Sequence, residues 1–200
     1  QIAKVNVTGS PFAVFFGNGY NSSSQKPYLY AVNPQTGATL AGIDLCAAVI
    51  TALPSACNAS KPNGLSSVAI ANSDGLLGSA ITQVYAGDLQ GNMWVVDVSN
   101  ASPSAWTVRL LFQARNASGN AQAITTTPVV TLNPNFPGKR GNFVLFGTGQ
   151  FLTASDLSNT QTQSAYGVWD KGGTTPYTRT NLQSQTLALV TTTTSGLPQN

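Results

Sequence analysis

Apolar and polar positions alternate in short bursts along this chain, bounded by Gly, Pro, Asn and Ser, and the three-to-four spacing of an amphipathic helix is nearly absent. The pattern predicts strands and turns. One design recurs: an apolar strand ending in Gly, a polar turn, then a strand carrying an aromatic and often an Asp or Asn. It appears first as F-A-V-F-F-G-N-G-Y-N (12–21), followed after a Ser-rich loop by Y-L-Y-A-V-N-P-Q-T-G-A-T-L (28–40). It returns as V-Y-A-G-D-L-Q-G-N-M-W-V-V-D-V (84–98) with a further strand at W-T-V-R-L-L-F (106–112). Its third copy is N-F-V-L-F-G-T-G-Q-F-L (142–152), then S-A-Y-G-V-W-D-K-G-G (164–173). Further β-branched strand candidates lie at 66–70, 127–132 and 186–193. A short helix is expected within Ala41 to Leu53, in an insertion spanning 41–60.

The fold class implied is all-β, and the recurrence favours a β-propeller over a β-sandwich, whose strands would be shorter and more evenly spaced. Repeat units fall at about 12–43, 66–112 and 125–173 within a partial propeller domain covering 1–200. The copies start about 60 to 70 residues apart, longer than a typical blade, so loop insertions are implied. Gly17, Gly19, Gly87 and Gly91 sit where sharp turns or close backbone approach are needed. Trp94, Tyr30 and Trp169 are expected to pack between neighbouring sheets. Three repeats cannot close a ring of typical size. The expectation is three to four neighbouring blades of an incomplete propeller, with T-T-T-T-S-G-L-P-Q-N leading towards the remaining blades of the same polypeptide.

Composition narrows the chemistry. The chain is 42% hydrophobic but only 8% charged, and it contains no Glu and no His. The usual proton shuttle and half the carboxylate acids are therefore missing, and catalysis would rest on six Asp. No catalytic residue is assigned. Nine basic residues give a formal charge of +3, but they are scattered, with Lys139 and Arg140 the one adjacent pair, so no nucleic-acid groove is expected. No apolar run reaches membrane-spanning length. The opening Gln-Ile-Ala-Lys lacks a signal-peptide layout, implying either a removed leader or an internal piece.

Cys46 and Cys57 enclose ten residues including Pro54. In a surface-type chain this reads as one disulfide, against the alternative of two buried free thiols; without a C-x-x-C spacing or a His partner a metal role is not indicated. Asp88, in G-D-L-Q-G-N, reads as a turn residue bonding its own backbone amides rather than a ligand or base. Asp97 and Asp170 follow aromatic strands and are expected to begin turns or meet a neighbouring blade. N-x-S/T triplets at Asn6, Asn21, Asn58, Asn100 and Asn116 read as polar loops. Tyr20, Tyr166 and Tyr177, if exposed, would suit a carbohydrate-binding surface propeller; the competing role is blade packing.

The string V-Y-A-G-D-L-Q-G-N-M-W-V-V-D, preceded by F-F-G-N-G-Y-N and followed in order by I-T-T-T-P-V-V, F-G-T-G-Q-F-L and Q-S-A-Y-G-V-W-D, closely resembles the C-terminal propeller of the PilY/PilC family. These are type IV pilus tip-associated adhesins and biogenesis factors. The resemblance runs from about Phe12 to Asp170. It implies a modified propeller of quinoprotein-like type that passes through the periplasm to the cell surface at the pilus tip. It also implies minor pilins and a surface or host-cell receptor as partners, and roles in pilus extension against retraction and in attachment. Several members carry an Asp-rich calcium loop before V-Y-A-G-D. Here the corresponding stretch, 70–83, keeps Asn72, Asp74 and Gly75, but Leu76, Leu77, Gly78 and Ala80 supply no side-chain oxygen, so no metal or cofactor is expected. A quinoprotein dehydrogenase, the enzyme alternative, would need acidic ligands for quinone and calcium and often an adjacent Cys pair. Cys46 and Cys57 are not adjacent.

Overall fold

The computed structural model describes residues 1–72, 78–133, 135 and 140–186. The order of elements follows from the alternation read above. In β1 (Ile2–Val7), Ala3, Val5 and Val7 are buried while Ile2, Lys4 and Asn6 face outwards. β1 forms an antiparallel meander with β2 (Ser10–Gly17), β3 (Tyr28–Val32) and β4 (Thr39–Asp44). This first sheet begins ten residues ahead of the first motif, with β1, an alternating I-A-K-V-N-V, outside the recurring motifs.

A second four-stranded sheet contains β5 (Leu65–Ala71), β6 (Gln83–Asp88), β7 (Asn92–Asp97) and β8 (Thr107–Gln113). A third holds β9 (Val129–Leu132), β10 (Asn142–Gly147) and β11 (Ala165–Asp170). All named pairings are antiparallel between strands adjacent in sequence. Of the strand candidate at 186–193, residues 187–193 lie outside the described residues. Between the first two sheets the chain makes the short helix α1 (Leu45–Val49), capped by Asp44, whose side chain accepts from the Ala47 amide at 3.0 Å. Residues 41–44, expected as part of a helix-bearing insertion, belong instead to β4, because their partners in β3 fix them in register.

The sheets follow one another round an arc, with β2 against β5 and β5 against β9. Ala3, Val5, Phe15 and Leu29 of the first sheet pack on Val68, Ala86, Trp94 and Leu110 of the second. On the opposite face, Tyr85, Met93, Val95 and Phe112 pack on Val144, Phe146, Tyr166 and Val168 of the third. The middle sheet is covered on both sides, so β6 and β7 are buried almost throughout. A bulge opposite Met93 and Trp94 adds Leu111 to β8, letting Leu111 and Phe112 both serve the second seam while Leu110 serves the first. Among the described residues the architecture is nearly all-β, three antiparallel sheets side by side without closure into a ring, as expected of an incomplete propeller.

Of the three aromatics expected between sheets, Trp94 lies there, 1% exposed. Tyr30 does not lie between two of the described sheets: period two places it between core-facing Leu29 and Ala31, so it stands on the outer face of the first sheet. There it stacks on Phe16 at 5.5 Å and on Tyr28 at 6.0 Å. Trp169 likewise alternates with Val168 and Asp170 and lies on the far side of the third sheet, with Lys171 Nζ 4.5 Å above its ring. Among the described residues, no helix is long and apolar enough to cross a membrane.

Adjacent residues test this facing. Phe15 is fully buried and Phe16 is 44% exposed. Phe15→Ala is expected to cost about 3–5 kcal/mol, and Phe16→Ala less than about 1 kcal/mol, in urea unfolding of the chain. Equal effects would mean the register of β2 is misassigned.

Candidate functional site

The carboxylates that sequence inspection singled out lie at the seams between sheets. The β6–β7 hairpin turns through Asp88-Leu89-Gln90-Gly91-Asn92. Gly91 adopts φ +76°, and a Cβ there would fall 2.6 Å from the Ala114 carbonyl oxygen and 2.7 Å from that of Gln122, so both chirality and space call for glycine. Asp88 is wholly buried. Its Oδ1 accepts from the Gln90 and Asn92 amides, each at 2.9 Å. Its Oδ2 accepts from Trp94 Nε1 and Asn92 Nδ2, each at 2.9 Å, and from Asn63 Nδ2 at 3.3 Å. Burial pushes the carboxyl up from its ordinary value, while the donors of Asn92, Trp94 and Asn63 pull it back. The turn role expected for Asp88 is present, and the indole and Asn63 bonds extend it to the core and to a neighbouring loop.

That loop runs from α1 to β5 and is tied by the Cys46–Cys57 disulfide, with Cα atoms 6.0 Å apart. Its backbone is stitched to the hairpin turn. Gln90 Oε1 accepts from the Asn58 amide at 2.7 Å, and Gln90 Nε2 donates to the carbonyls of Asn58 at 2.8 Å and Lys61 at 3.1 Å. Asn92 Nδ2 donates to the Ala56 carbonyl at 2.9 Å, and Asn63 Oδ1 accepts from the Leu89 amide at 3.1 Å. On the other side, Asn18 Oδ1 accepts from the Leu65 amide at 2.9 Å and the Tyr28 amide at 3.0 Å, joining the first sheet to the same region.

At the second seam, Asp170 of β11 accepts from Tyr85 Oη of β6 at 2.7 Å and pairs with Arg109 of β8. Asn142 Nδ2 adds bonds to Gln83 Oε1 at 2.7 Å and Tyr85 Oη at 3.1 Å. Burial and the Asp170 charge raise the Tyr85 phenol well above its ordinary value. Asp170 thus meets a neighbouring sheet and also begins a turn by accepting from the Gly172 amide at 2.9 Å. Asp97 is a turn residue, bonded to the amide and hydroxyl of Ser99 at 2.9 and 2.6 Å. Asp44 caps α1 and binds Lys26 Nζ at 2.7 Å. Asp156 accepts from Gln150 Nε2 and the Leu152 and Thr153 amides, which hold its carboxyl at about 2. Every described Asp is therefore committed to a turn, cap or seam.

The three aromatics considered for sugar stacking fare differently. Tyr166 is buried, packs on Phe112 at 4.7 Å, and donates to Gln122 Oε1 at 2.6 Å. Tyr177 is half-buried beside β8, its amide donating to the Leu111 carbonyl at 2.7 Å. Tyr20 is 36% exposed, and its hydroxyl is spent on the Thr125 carbonyl. No shared aromatic platform results. Among the described residues, no group of three His, Cys, Asp or Glu side chains could hold a metal ion. Ser73 to Leu77, the centre of the degenerate calcium-like stretch, lies outside the described residues. Inspection of the sequence missed Asn63, Gln90, Arg109, Gln122 and Asn142. Arg109, a charge inside W-T-V-R-L-L-F, was the one with a visible signal.

Comparison with known proteins gives a consistent answer. The family model described as the PilY1 beta-propeller domain matches residues 1–196. The chain is 34% identical to the type IV pilus biogenesis factor PilY1 of Pseudomonas aeruginosa strain PAO1, over 89% of this chain and 16% of that protein. It is 30% identical to a PilY1 homolog of Xylella fastidiosa, over 90% of this chain and 12% of the relative. The crystal structure of the P. aeruginosa PilY1 C-terminal domain superposes with a TM-score of 0.76 at 29% identity, covering 92% of this chain and 40% of that one. The chain thus spans a small part of the length of these relatives.

Asp88→Asn tests the first seam. An amide turns an N–H group towards donors that expect an oxygen, so a loss of about 3 kcal/mol is expected in urea unfolding. A change below about 1 kcal/mol would show that the five bonds do not hold the hairpin.

Proposed function

The chain belongs to the PilY1 β-propeller family, and from that membership we propose that it is a section of a type IV pilus biogenesis factor acting without catalysis at the bacterial surface. The observation that carries this reading is the family match over nearly the whole chain, from residue 1 to 196. The chemistry agrees: the described carboxylates are engaged in turns, caps and seams, and His and Glu are absent from the sequence.

In this reading the parent polypeptide passes through the periplasm and works outside the cell at the pilus tip. Its partners are minor pilins or other tip components and a surface or host-cell receptor, and it supports extension against retraction as well as adhesion. The remaining blades of the same polypeptide cover the outer face of the first sheet, where Ile2 is 62%, Phe12 47% and Phe16 44% exposed. An apolar sheet face of this kind is what a blade presents to its neighbour.

Inactivating the parent gene in its own bacterium is expected to leave few surface pili and weak attachment. In a strain also unable to retract, pili should return while attachment stays low. Normal piliation and attachment in the single mutant would remove the proposal; attachment recovering together with the pili would remove its adhesive part.

Calcium is not part of the proposed function, because the 70–83 stretch offers too few oxygen ligands. Thermal midpoints of the chain in calcium and in chelator should coincide, since a ligand binding only the folded state raises stability by mass action. A calcium-dependent rise of several degrees would identify a site here.

A further inference from the structure

Residues 50–64 form neither strand nor extended helix, and their apolar anchorage is slight: Ala56 is buried and Leu53 packs half-buried against the core. Yet this loop supplies much of the polar environment of the 88–92 turn, in which Asp88, Gln90 and Asn92 are buried. The carbonyls of Ala56, Asn58 and Lys61, the Asn58 amide and the Asn63 side chain all bond to Asp88, Leu89, Gln90 or Asn92. Those bonds need the loop placed to within a few tenths of an ångström. What fixes its middle is Cys57, joined to Cys46 on α1, which itself packs against β8.

We infer that the Cys46–Cys57 disulfide is a redox latch whose closure seats residues 50–64 on the buried 88–92 turn and whose reduction frees that loop while the seam between the second and third sheets stays packed. Two features make the latch local. The bonds it controls all lie at the first seam. The second seam has its own aromatic cluster, Phe112–Phe146–Tyr166, and its own ion pair, Arg109–Asp170, neither of which touches the loop.

The chemistry is thiol–disulfide exchange. On closure the two thiols lose two protons and two electrons to an external protein disulfide, which leaves as a dithiol. On opening, an external thiolate attacks a sulfur; Cys57 is half-buried and Cys46 only 5% exposed, so attack falls on Cys57 Sγ and Cys46 departs as the thiolate. A second thiol of the reductant then resolves the mixed disulfide. An opened loop takes their partners from the Gln90 side chain and the Leu89 amide and one partner from Asn92 Nδ2, polar groups that water must then enter to satisfy. The device therefore couples completion of the first seam to an oxidising compartment. It does not depend on the pilus reading.

Amide hydrogen exchange on the full chain tests it, comparing oxidised protein, protein reduced with dithiothreitol, and the Cys46→Ser/Cys57→Ser variant. Exchange at Asn58, Gly64 and Leu89 is expected to be on the order of 100-fold faster in the reduced and variant forms, with amides of β10 and β11 unchanged within about threefold. Unaltered exchange at Asn58, Gly64 and Leu89 overturns the latch. So does equal acceleration in β10 and β11, including outright unfolding, which would make the disulfide a general staple. Gln90→Ala supplies a route with the cysteines intact. Because coupling is reciprocal, loosening the loop's bonds should speed reduction of the disulfide by dithiothreitol about tenfold. An unchanged reduction rate in that variant also overturns the proposal.

Discussion

A carboxylate without access to water must be surrounded by donors, and at Asp88 that requirement draws together the β6–β7 hairpin, the Trp94 indole and the loop before β5. Five N–H groups converge on it, from the turn backbone, from Asn92 and Trp94 on β7, and from Asn63 on the loop that precedes β5. Losing any one strands a polar group in the interior, so the hairpin, the indole and the loop are positioned together. Trp94 feels this most directly. Its ring fills the seam between the first two sheets while its N–H is anchored to the carboxylate, which sets ring orientation as packing alone would not.

The second seam uses the same logic with different parts. Asp170 is again a nearly buried carboxylate at the end of a strand, but it reaches across sheets to Tyr85 and Arg109 rather than into its own hairpin. The apolar side is an aromatic cluster around Phe112 instead of a single indole. Each seam thus pairs one apolar contact surface with one hydrogen-bonded polar centre. The apolar part supplies most of the stabilisation, and the polar part makes alternative registers costly. In a repeat architecture of similar sheets this matters, because a strand slipped by two residues would keep its hydrophobic pattern but lose its carboxylate partners.

These assignments shape what the chain can offer a partner. Two of its carboxylates, Asp88 and Asp170, are buried, whereas Phe12, Phe16, Phe151 and Leu157 stand exposed, the last two at the β10–β11 connection and both 74% exposed. That loop is held in one shape by Asp156, which draws the Gln150 side chain and two backbone amides onto itself.

Local regularities settled a good deal from the sequence alone. Period-two alternation and Gly-rich turns gave the strands of the second and third sheets, the G-D-L-Q-G-N turn gave the backbone role of Asp88, and the ordered motifs gave the family resemblance. Each of these depends on residues within a few positions of one another. Whatever depends on residues far apart was decided by the tertiary structure. Tyr30 and Trp94 occupy similar places in their motifs, yet the turn before each strand fixes which face its aromatic joins, and only one of them reaches a seam. Asn63 and Gln90 read as loop and turn residues because their bonding partners lie 25 and 32 positions away. Arg109 and Asp170 are separated by 61 residues, and nothing in either local stretch marks them as a pair. A sequence records where polar groups stand along the chain; burial, which makes their pairing obligatory, exists only once the sheets have closed on one another.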